Sequence, residues 1–209
     1  MLAERLADRS RPVTGTEVAF FFDLVCPFSY LAAERIERVL GNVDWVPAAG
    51  MTLHGEGHPA HSVGAREAAE RMAAELRLPL VWPERIRAEA PSALRAATYA
   101  SECGAAAQFA LAASRLAFCG GFDLEDPEIL AEAAAAAGVP LDGCLSAAGD
   151  VSRDGAVHAT ARGLQSRGVL KLPAVRVHRS WFSGQEAVAE AGAMLRARHA
   201  LGSPLAPAG

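Results

Sequence analysis

Cys26 is the residue whose type and position point most directly to chemistry. It closely follows the apolar run EVAFFFDL (17–24), which has the length and composition of a β-strand, and it precedes Pro27, which is favoured at the first position of a helix. A helix N-terminus presents unpaired N–H groups and a partial positive charge, and both stabilise a thiolate. Ser29, in the same first turn, can donate a hydrogen bond to the sulfur. This position predicts a nucleophilic thiol with a lowered pKa if the side chain is partly exposed; an inert cysteine buried in the core is the alternative.

Pro173 is the second residue with a positional meaning, because it opens an apolar run in the C-terminal half. A proline at the start of a strand is accommodated at a sheet edge or with a cis peptide bond. A cis bond would expose the backbone of Leu172 toward whatever lies beside it. The spacing alone leaves both interpretations open.

The other cysteines are predicted to be structural. No two of the four cysteines are spaced as CxxC, and a structural disulfide framework is not expected in the reducing compartment that we predict for this chain. The three that remain fall in alanine-rich helical stretches, and we expect them in the core: Cys103, Cys119 and Cys144.

A histidine-rich loop follows the second predicted strand. His54, His58 and His61 lie among glycines and a proline, and three histidines can bind zinc or nickel. The loop offers no cysteine and only Glu56 as a fourth ligand, at a spacing that fits no familiar site. We predict no metal, and a loop that is solvated or faces the substrate.

Composition excludes several classes of protein. The chain of 209 residues is 51% hydrophobic and carries a formal net charge of −4, which argues against a disordered protein and against a nucleic-acid binder. No run of 18 uncharged apolar residues exists, so no membrane segment is predicted. The charged N-terminus lacks the apolar core of a secretory signal, so we expect a cytoplasmic protein. Apolar alanine-rich faces make a homodimer a further expectation.

Hydrophobic periodicity indicates the order of the elements. The first fifty residues predict strand, helix, strand, and a long alanine-rich stretch then predicts four or five helices without a strand. One more helix, a hairpin and a last helix follow. The predicted ranges are 17–24, 27–40 and 43–47, then 65–148 for the helical block, and then 152–167, 172–178, 181–183 and 185–199.

Two segments carry a resemblance to a known family. FFFDLVCPFSYLA (20–32) and KLPAVRVHRSWFSGQEAV (171–188) resemble the DsbA-like thioredoxin-fold proteins, near the branch of 2-hydroxychromene-2-carboxylate isomerases and kappa-class glutathione transferases. The resemblance implies an α/β, thioredoxin-like fold with a large all-helical insertion between its βαβ and ββα halves. The implied boundaries are an N-terminal arm (1–16), a thioredoxin-like domain (17–60 and 150–200), the helical insertion (61–149) and a tail (201–209).

The resemblance also implies roles for individual residues. Cys26 lies where the isomerase branch has a serine that activates the sulfur of glutathione, and where the DsbA branch has its nucleophilic cysteine. Ser29 replaces the resolving cysteine of the DsbA branch. Pro173 matches the cis-proline of both branches, and the backbone of the residue before it, Leu172, would bind glutathione or a peptide.

A second implied glutathione contact lies downstream. The isomerase branch has a Gly-x-Asp-Arg motif that binds the γ-glutamyl end of glutathione, and this chain has Gly184-Gln185-Glu186-Ala187 in its place. Glu186 keeps the carboxylate, whereas the arginine is missing. Gln185 and Glu186 are therefore the candidate glutathione-binding residues, and glutathione is the implied cofactor.

These features favour a single-cysteine (CPFS) thiol–disulfide oxidoreductase linked to glutathione. Without a cysteine at Ser29, Cys26 would form a mixed disulfide that an external thiol resolves. An alternative is a glutathione-dependent isomerase or transferase acting on an aromatic substrate, in which Cys26 only orients the glutathione sulfur. A second alternative is a non-catalytic binding module. The expected partner is a small-molecule thiol, an aromatic substrate or a protein disulfide.

Overall fold

The computed structural model describes residues 17–54, 63–83, 85 and 87–202. The predicted arm, His58, His61 and residues 203–209 of the tail lie outside these residues. Four strands form one mixed sheet in the order β2-β1-β3-β4, in which β1 pairs in parallel with β2 and antiparallel with β3. The strands are β1 (Val18–Phe22), β2 (Asp44–Pro47), β3 (Ala174–Val177) and β4 (Ser180–Ser183).

Helices cover the sheet and fill the long central part of the chain. A short 3-10 turn, Val151–Arg153, joins two of them. The helices are α1 (Pro27–Ala33), α2 (Ile36–Leu40), α3 (Gly50–His54), α4 (Val63–Leu76), α5 (Pro91–Glu102), α6 (Ala106–Phe118), α7 (Pro127–Ala137), α8 (Leu141–Gly149), α9 (Asp154–Gln165) and α10 (Ala187–Gly202). None of the helices in the described residues is long and apolar enough to cross a bilayer.

β1 lies at the centre of the core because it is apolar on both faces. Its alternate residues Phe20 and Phe22 are buried, and the ring of Trp45 from β2 meets Phe20 edge-on at 4.9 Å between centroids. One continuous core runs from these strands into the helical block, where Phe109 and Leu130 are also buried. The domain boundaries that we place within this core stay a prediction.

Local signals set the ends of the helical block's elements. Asp126 caps α7 by accepting a hydrogen bond from the backbone N–H of Glu128 at 2.9 Å, and Gly138 ends the same helix in the left-handed conformation at φ 69°. Aspartate and glycine are the residue types that these two positions favour. Apart from the two elements described next, the order of strands and helices agrees with the prediction.

Two elements differ from the prediction. The helix predicted over 27–40 divides at Arg35, whose φ of −128° is not helical. Residues 50–54 form the short helix α3 instead of a loop, so His54 belongs to a helix. The N–H of Gly50, at the start of α3, donates to the buried carboxylate of Asp23 at 2.7 Å, and this tertiary contact is not visible in the local sequence.

Candidate active site

Cys26 lies at the junction of β1 and α1, at the N-cap position of the helix. Its N–H donates to the carbonyl of Asp23 at 3.3 Å, and its own carbonyl accepts from the N–H of Tyr30 at 3.1 Å. The thiol Sγ points to the carbonyl oxygen of Leu172 at 3.8 Å. The Leu172–Pro173 peptide bond is cis. The fold thus brings together the two features that the sequence analysis singled out, although 146 residues separate them.

The Cys26 thiol is fully buried. It packs in a small apolar cluster with Phe28 and with Ala69 of α4, and the partly buried Leu80 and Trp82 cover this cluster. Burial raises the pKa of Cys26 to about 11, and this effect exceeds the opposing hydrogen bonds from the N–H and hydroxyl groups of Ser29. The prediction of a lowered pKa is therefore wrong for this conformation, because desolvation of a thiolate outweighs the helix N-terminus.

Ser29 is also buried and has two polar neighbours. Its hydroxyl bonds to the Cys26 sulfur, as expected, and accepts a hydrogen bond from the N–H of Asp23 at 3.3 Å. The hydroxyl therefore connects the end of β1 to the first turn of α1. A serine in this place holds the thiol, but it cannot form a disulfide with it.

Asp23 is a site residue that the sequence analysis missed. Only 1% of it is exposed, and its carboxylate accepts hydrogen bonds from the N–H groups of Val25 at 3.1 Å and Gly50 at 2.7 Å. Burial raises the pKa of Asp23 to about 6 against the effect of those bonds, and the negative charge of Asp23 in turn raises the pKa of Cys26. The available signal was an acidic residue that ends an otherwise apolar strand.

The cis-proline loop connects the thiol to the start of the last helix. Leu172 is buried, and the carbonyl of Pro173 accepts a hydrogen bond from the N–H of Gly184 at 2.8 Å. Gly184 has a φ of 88°, a backbone conformation that is unfavourable for residues with a Cβ. The turn before α10 is therefore held directly against the proline that follows Leu172.

Gln185 and Glu186, the predicted glutathione-binding residues, are exposed at the start of α10. The carbonyl of Gln185 accepts a long hydrogen bond from Nη2 of Arg35 at 3.5 Å. Arg35 lies between α1 and α2, and the charge of Glu186 raises its pKa while burial, the larger effect, lowers it. A guanidinium that the sequence analysis did not select therefore contacts Gln185 and is influenced electrostatically by Glu186.

The remaining cysteines only partly match the prediction. Cys144 is buried as expected, whereas Cys103 and Cys119 are exposed. Both exposed cysteines are the residues that end a helix, α5 and α6 respectively, where the chain leaves the packed face. The sulfur of Cys119 lies 3.3 Å from the hydroxyl of Tyr30, which also donates to the carbonyl of Pro79 at 2.8 Å.

An apolar pocket opens next to the residues that precede Cys26. Asp123, one of its lining residues, forms a bidentate ion pair with Arg87. In the described ranges no group of three or more histidine, cysteine or acidic residues could hold a metal ion. The residues that shape the pocket are Leu24, Val25, Trp82, Phe118 and Phe122, with Arg85 at the edge.

Solved structures with the same architecture are disulfide oxidoreductases and an isomerase. 2-Hydroxychromene-2-carboxylate isomerase superposes with a TM-score of 0.71 at 16% identity, covering 89% of this chain and 99% of its own. A probable DsbA oxidoreductase from Streptomyces coelicolor gives 0.66 at 19% identity, covering 91% and 93%. The cytosolic disulfide reductase DsbM from Pseudomonas aeruginosa gives 0.64 at 17% identity, covering 88% and 98%, and it is also known in a structure with GSH.

Sequence comparison identifies the family. No curated protein matches this chain closely enough to be a relative. The pattern of the DSBA-like thioredoxin domain matches residues 17–195, which include both predicted motifs and the helical block between them. The thioredoxin-like α/β fold predicted from the two motifs is confirmed, and the chain belongs to the family of DSBA-like thioredoxin domains.

Proposed function

We propose that this protein is a glutathione-linked thiol–disulfide oxidoreductase in which Cys26 is the single reacting cysteine. The observation that carries the proposal is the contact between the Cys26 sulfur and the carbonyl of Leu172 at 3.8 Å, at a strand–helix junction. An incoming disulfide would meet the thiol on one side and the backbone of the cis-proline loop on the other. A buried serine, Ser29, occupies the place from which a second cysteine would resolve the product.

The reaction follows from a lone thiol and an external reductant. The Cys26 thiolate attacks one sulfur of a substrate disulfide RSSR′, forms Cys26–S–S–R and releases R′S⁻, which takes up a proton. A glutathione thiolate then displaces RS⁻ from the Cys26 sulfur, and a second glutathione displaces Cys26 to give glutathione disulfide. The net change is RSSR′ + 2 GSH → RSH + R′SH + GSSG, so the electrons come from glutathione and Cys26 is regenerated.

Burial implies that the thiol reacts after its cover opens. With a pKa of about 11 the Cys26 sulfur is protonated at neutral pH, and Phe28 and Ala69 exclude solvent from it. If a substrate displaced Trp82 or its neighbours, desolvation would decrease and the hydrogen bonds from Ser29 would favour the thiolate. The proposed enzyme therefore combines a protected resting thiol with an activated one in the open state.

Intact-mass analysis tests this proposal. A Cys103→Ser/Cys119→Ser variant removes the two exposed cysteines, and incubation with glutathione disulfide should add one glutathionyl group. The same variant with Cys26→Ser should add none, and reduced glutathione should reverse the adduct. The proposal is contradicted if the protein that retains Cys26 forms no glutathionyl adduct. It is also contradicted if the Cys26→Ser variant still reduces a glutathione mixed disulfide.

The apolar pocket favours a second candidate, a glutathione-dependent isomerase or transferase of an aromatic substrate. Trp82, Phe118 and Phe122 form walls on which an aromatic ring can pack. The two candidate functions predict different effects of substitutions at Cys26. An isomerase in which position 26 only orients the glutathione sulfur should tolerate Cys26→Ser and lose activity in Cys26→Ala, whereas exchange through Cys26 should be lost in both.

A non-catalytic module and the predicted location are tested separately. If both Cys26 variants and the wild type fail to change any disulfide or aromatic substrate while a partner still binds, the binding module becomes the better interpretation.

Glutathione as the reductant suits the cytoplasm, where the glutathione pool keeps thiols reduced. Cell fractionation followed by blotting tests that part of the proposal, and sedimentation analysis tests the predicted homodimer.

A further inference from the structure

A short extended segment covers the Cys26 thiol. This strap, residues 78–82, follows α4 and has neither helix nor strand, and its side chains Leu80 and Trp82 pack on the apolar cluster around Cys26. The alternate side chains of the strap are exposed. An extended segment places every second side chain on its buried side, and this strap follows that pattern. The strap is therefore a part of the cover whose displacement breaks neither a helix nor a strand.

Hydrogen bonds from three helices hold the strap closed. The N–H of Val81 donates to the carbonyl of Phe118, the last residue of α6, at 2.7 Å. The hydroxyl of Tyr30 on α1 donates to the carbonyl of Pro79 at 2.8 Å. On α4, the carboxylate of Glu70 accepts from the indole N–H of the strap's tryptophan at 2.7 Å. Because so few bonds hold this short segment, its local opening costs far less free energy than unfolding of the whole chain.

Tyr30 connects the strap to the turn that presents the Cys26 thiol. The Tyr30 N–H donates to the Cys26 carbonyl at 3.1 Å, so a single turn of α1 links the two residues. The Tyr30 ring stacks on Phe118 at 5.5 Å between centroids, and the residue is only 1% exposed. This packing fixes the direction of the hydroxyl, which therefore holds the Pro79 carbonyl at a set position relative to the thiol.

The strap also separates the thiol from the apolar pocket. Trp82 belongs both to the cover of Cys26 and to the wall of the pocket. Phe118, on which Tyr30 stacks, is another part of the same wall. Opening of the strap at Trp82 would join the pocket to the thiol, so that an apolar disulfide held in the pocket gains access to the Cys26 sulfur.

We propose that Tyr30 is a positioning residue whose hydroxyl latches the strap over Cys26 and sets how often the thiol is open to a disulfide. The entry of a disulfide rests on the proposed function, whereas the latch can be measured without any disulfide. Loss of the hydroxyl should increase the open fraction by the equilibrium factor of one hydrogen bond, about 3- to 10-fold. Tyr30 acts through the strap rather than on the reacting sulfur.

Alkylation of Cys26 measures the open fraction. A Cys103→Ser/Cys119→Ser background keeps a polar group beside both tyrosine hydroxyls and removes the exposed thiols, whose alkylation would disturb them. In this background Tyr30→Phe should increase the iodoacetamide labelling rate of Cys26 about 3- to 10-fold. Tyr99→Phe is the matched control, since the Tyr99 hydroxyl also bonds to a cysteine at the end of its helix, and it should change the rate less than about twofold.

Two further measurements separate a latch from a general loss of stability. Labelling through local opening depends weakly on urea because little surface becomes exposed, whereas labelling through global unfolding depends steeply on urea. Tyr30→Phe should accelerate labelling with the weak dependence. Hydrogen exchange of the Val81 amide should accelerate by a similar factor, while the Leu130 amide of α7, which donates to the carbonyl of Asp126, should exchange at an unchanged rate.

Val81→Pro supplies the test if Tyr30→Phe does not fold. Proline has no N–H, so the hydrogen bond to the Phe118 carbonyl is lost. The Val81 side chain is exposed, so its replacement removes no contact from the core. This variant should also accelerate the labelling of Cys26, again with a weak dependence on urea.

Three results would overturn the inference. They are labelling of Cys26 in Tyr30→Phe protein at the rate of the Tyr99→Phe control, acceleration with the urea dependence of global unfolding, and unchanged exchange of the Val81 amide. Where Val81→Pro carries the test, the first two results apply to that variant. None of the three removes the proposed function, which is tested by the mixed disulfide at Cys26. Conversely, faster alkylation in Tyr30→Phe protein supports the latch even if glutathione disulfide adds nothing to Cys26.

Discussion

Cys26 and Cys119 lie on two helices that pack against each other, yet they occupy opposite chemical environments. Cys26 is buried at the N-terminus of α1, whereas Cys119 is exposed at the C-terminus of α6. Tyr30 contacts both, through its N–H to the Cys26 carbonyl and its hydroxyl to the Cys119 sulfur. The helix dipole favours a thiolate at Cys26 and disfavours one at Cys119, while solvent access has the reverse effect. The comparison shows that desolvation, rather than position on a helix, decides the ionisation of the buried thiol.

The largest expected difference between the two regions is in alkylation. With a pKa of about 11, the Cys26 thiol is ionised to about 1 part in 10,000 at pH 7, which is roughly 300-fold less than a free cysteine. We expect iodoacetamide to label Cys26 at least about 100-fold more slowly than it labels free glutathione at pH 7. The labelling rate of Cys26 should rise about tenfold per pH unit up to pH 10. Peptide mass spectrometry should show Cys119 labelled first. Equal rates at the two cysteines in native protein would reverse the comparison, and equal rates in unfolded protein are the control.

Asp23 should make the Cys26 region lose stability as the pH rises. Its pKa is raised to about 6 in the folded protein, so the native state binds more protons than the unfolded state between pH 4 and 6. Asp23 therefore contributes about 3 kcal/mol to the free energy of unfolding below pH 4, and this contribution is lost as the pH rises through 6. In urea unfolding at pH 4 and pH 7, the free energy of unfolding of wild type minus that of Asp23→Asn should fall by about 2 kcal/mol, because the unfolded carboxyl is already partly ionised at pH 4. Asp126→Asn, at an exposed helix cap, should show no such change, and a pH-independent difference for Asp23→Asn would refute the assignment.

Substitution of Trp82 tests whether this side chain protects the Cys26 thiol from solvent. Its ring packs on the Cys26 cluster, and the guanidinium carbon of Arg66 lies over it, 4.6 Å from the ring centroid. The Nε1 of Trp82 donates a hydrogen bond to the carboxylate of Glu70 at 2.7 Å. Trp82→Ala should open a path for solvent and increase the labelling rate of Cys26 about tenfold, since a thiol with less desolvation has a lower pKa. Labelling of Cys119 should stay unchanged.

Trp181→Ala is the control for the Trp82 variant. Trp181 is a half-buried tryptophan of β4 that packs on Phe21 rather than on the Cys26 cluster. Its removal should destabilise the protein without faster labelling of Cys26. If both tryptophan variants accelerate labelling equally, global opening rather than the local cover controls access to the thiol.

The smallest expected effect concerns the ion pair beside Cys119. Arg115 forms two hydrogen bonds with Glu34, at 2.6 and 2.8 Å, and solvent reaches the pair through the Arg115 side chain, which is 55% exposed, whereas Glu34 is 12% exposed. Glu34→Gln should lower the free energy of unfolding by less than about 1 kcal/mol, and less still in high salt, because solvent screens exposed pairs. Thermal unfolding at two salt concentrations measures this change. A loss above about 2 kcal/mol would show that this region is more strongly coupled to the α1 packing than its exposure suggests.

The sequence was sufficient where local signals act alone. The apolar run before Cys26, Pro27 at the helix start and Pro173 before an apolar run predicted the elements and the two halves of the site. Predictions from local sequence are wrong where the outcome depends on distant neighbours. α3 begins where Gly50 meets Asp23, and the helix predicted over 27–40 breaks at Arg35, whose contact Gln185 lies 150 residues away.

Residue types and their spacing, by themselves, determined that this chain has a strand–cysteine–proline–helix junction and a later proline-led hairpin. Both depend on interactions within a few residues. Only the tertiary structure decided that the Cys26 thiol faces Leu172, that its pKa is raised and that Arg35 contacts the carbonyl of Gln185. Desolvation and charge–charge interactions depend on which distant segments pack around a group. Ala69 of α4, forty-three residues after Cys26, therefore contributes to the burial that raises the pKa of that thiol.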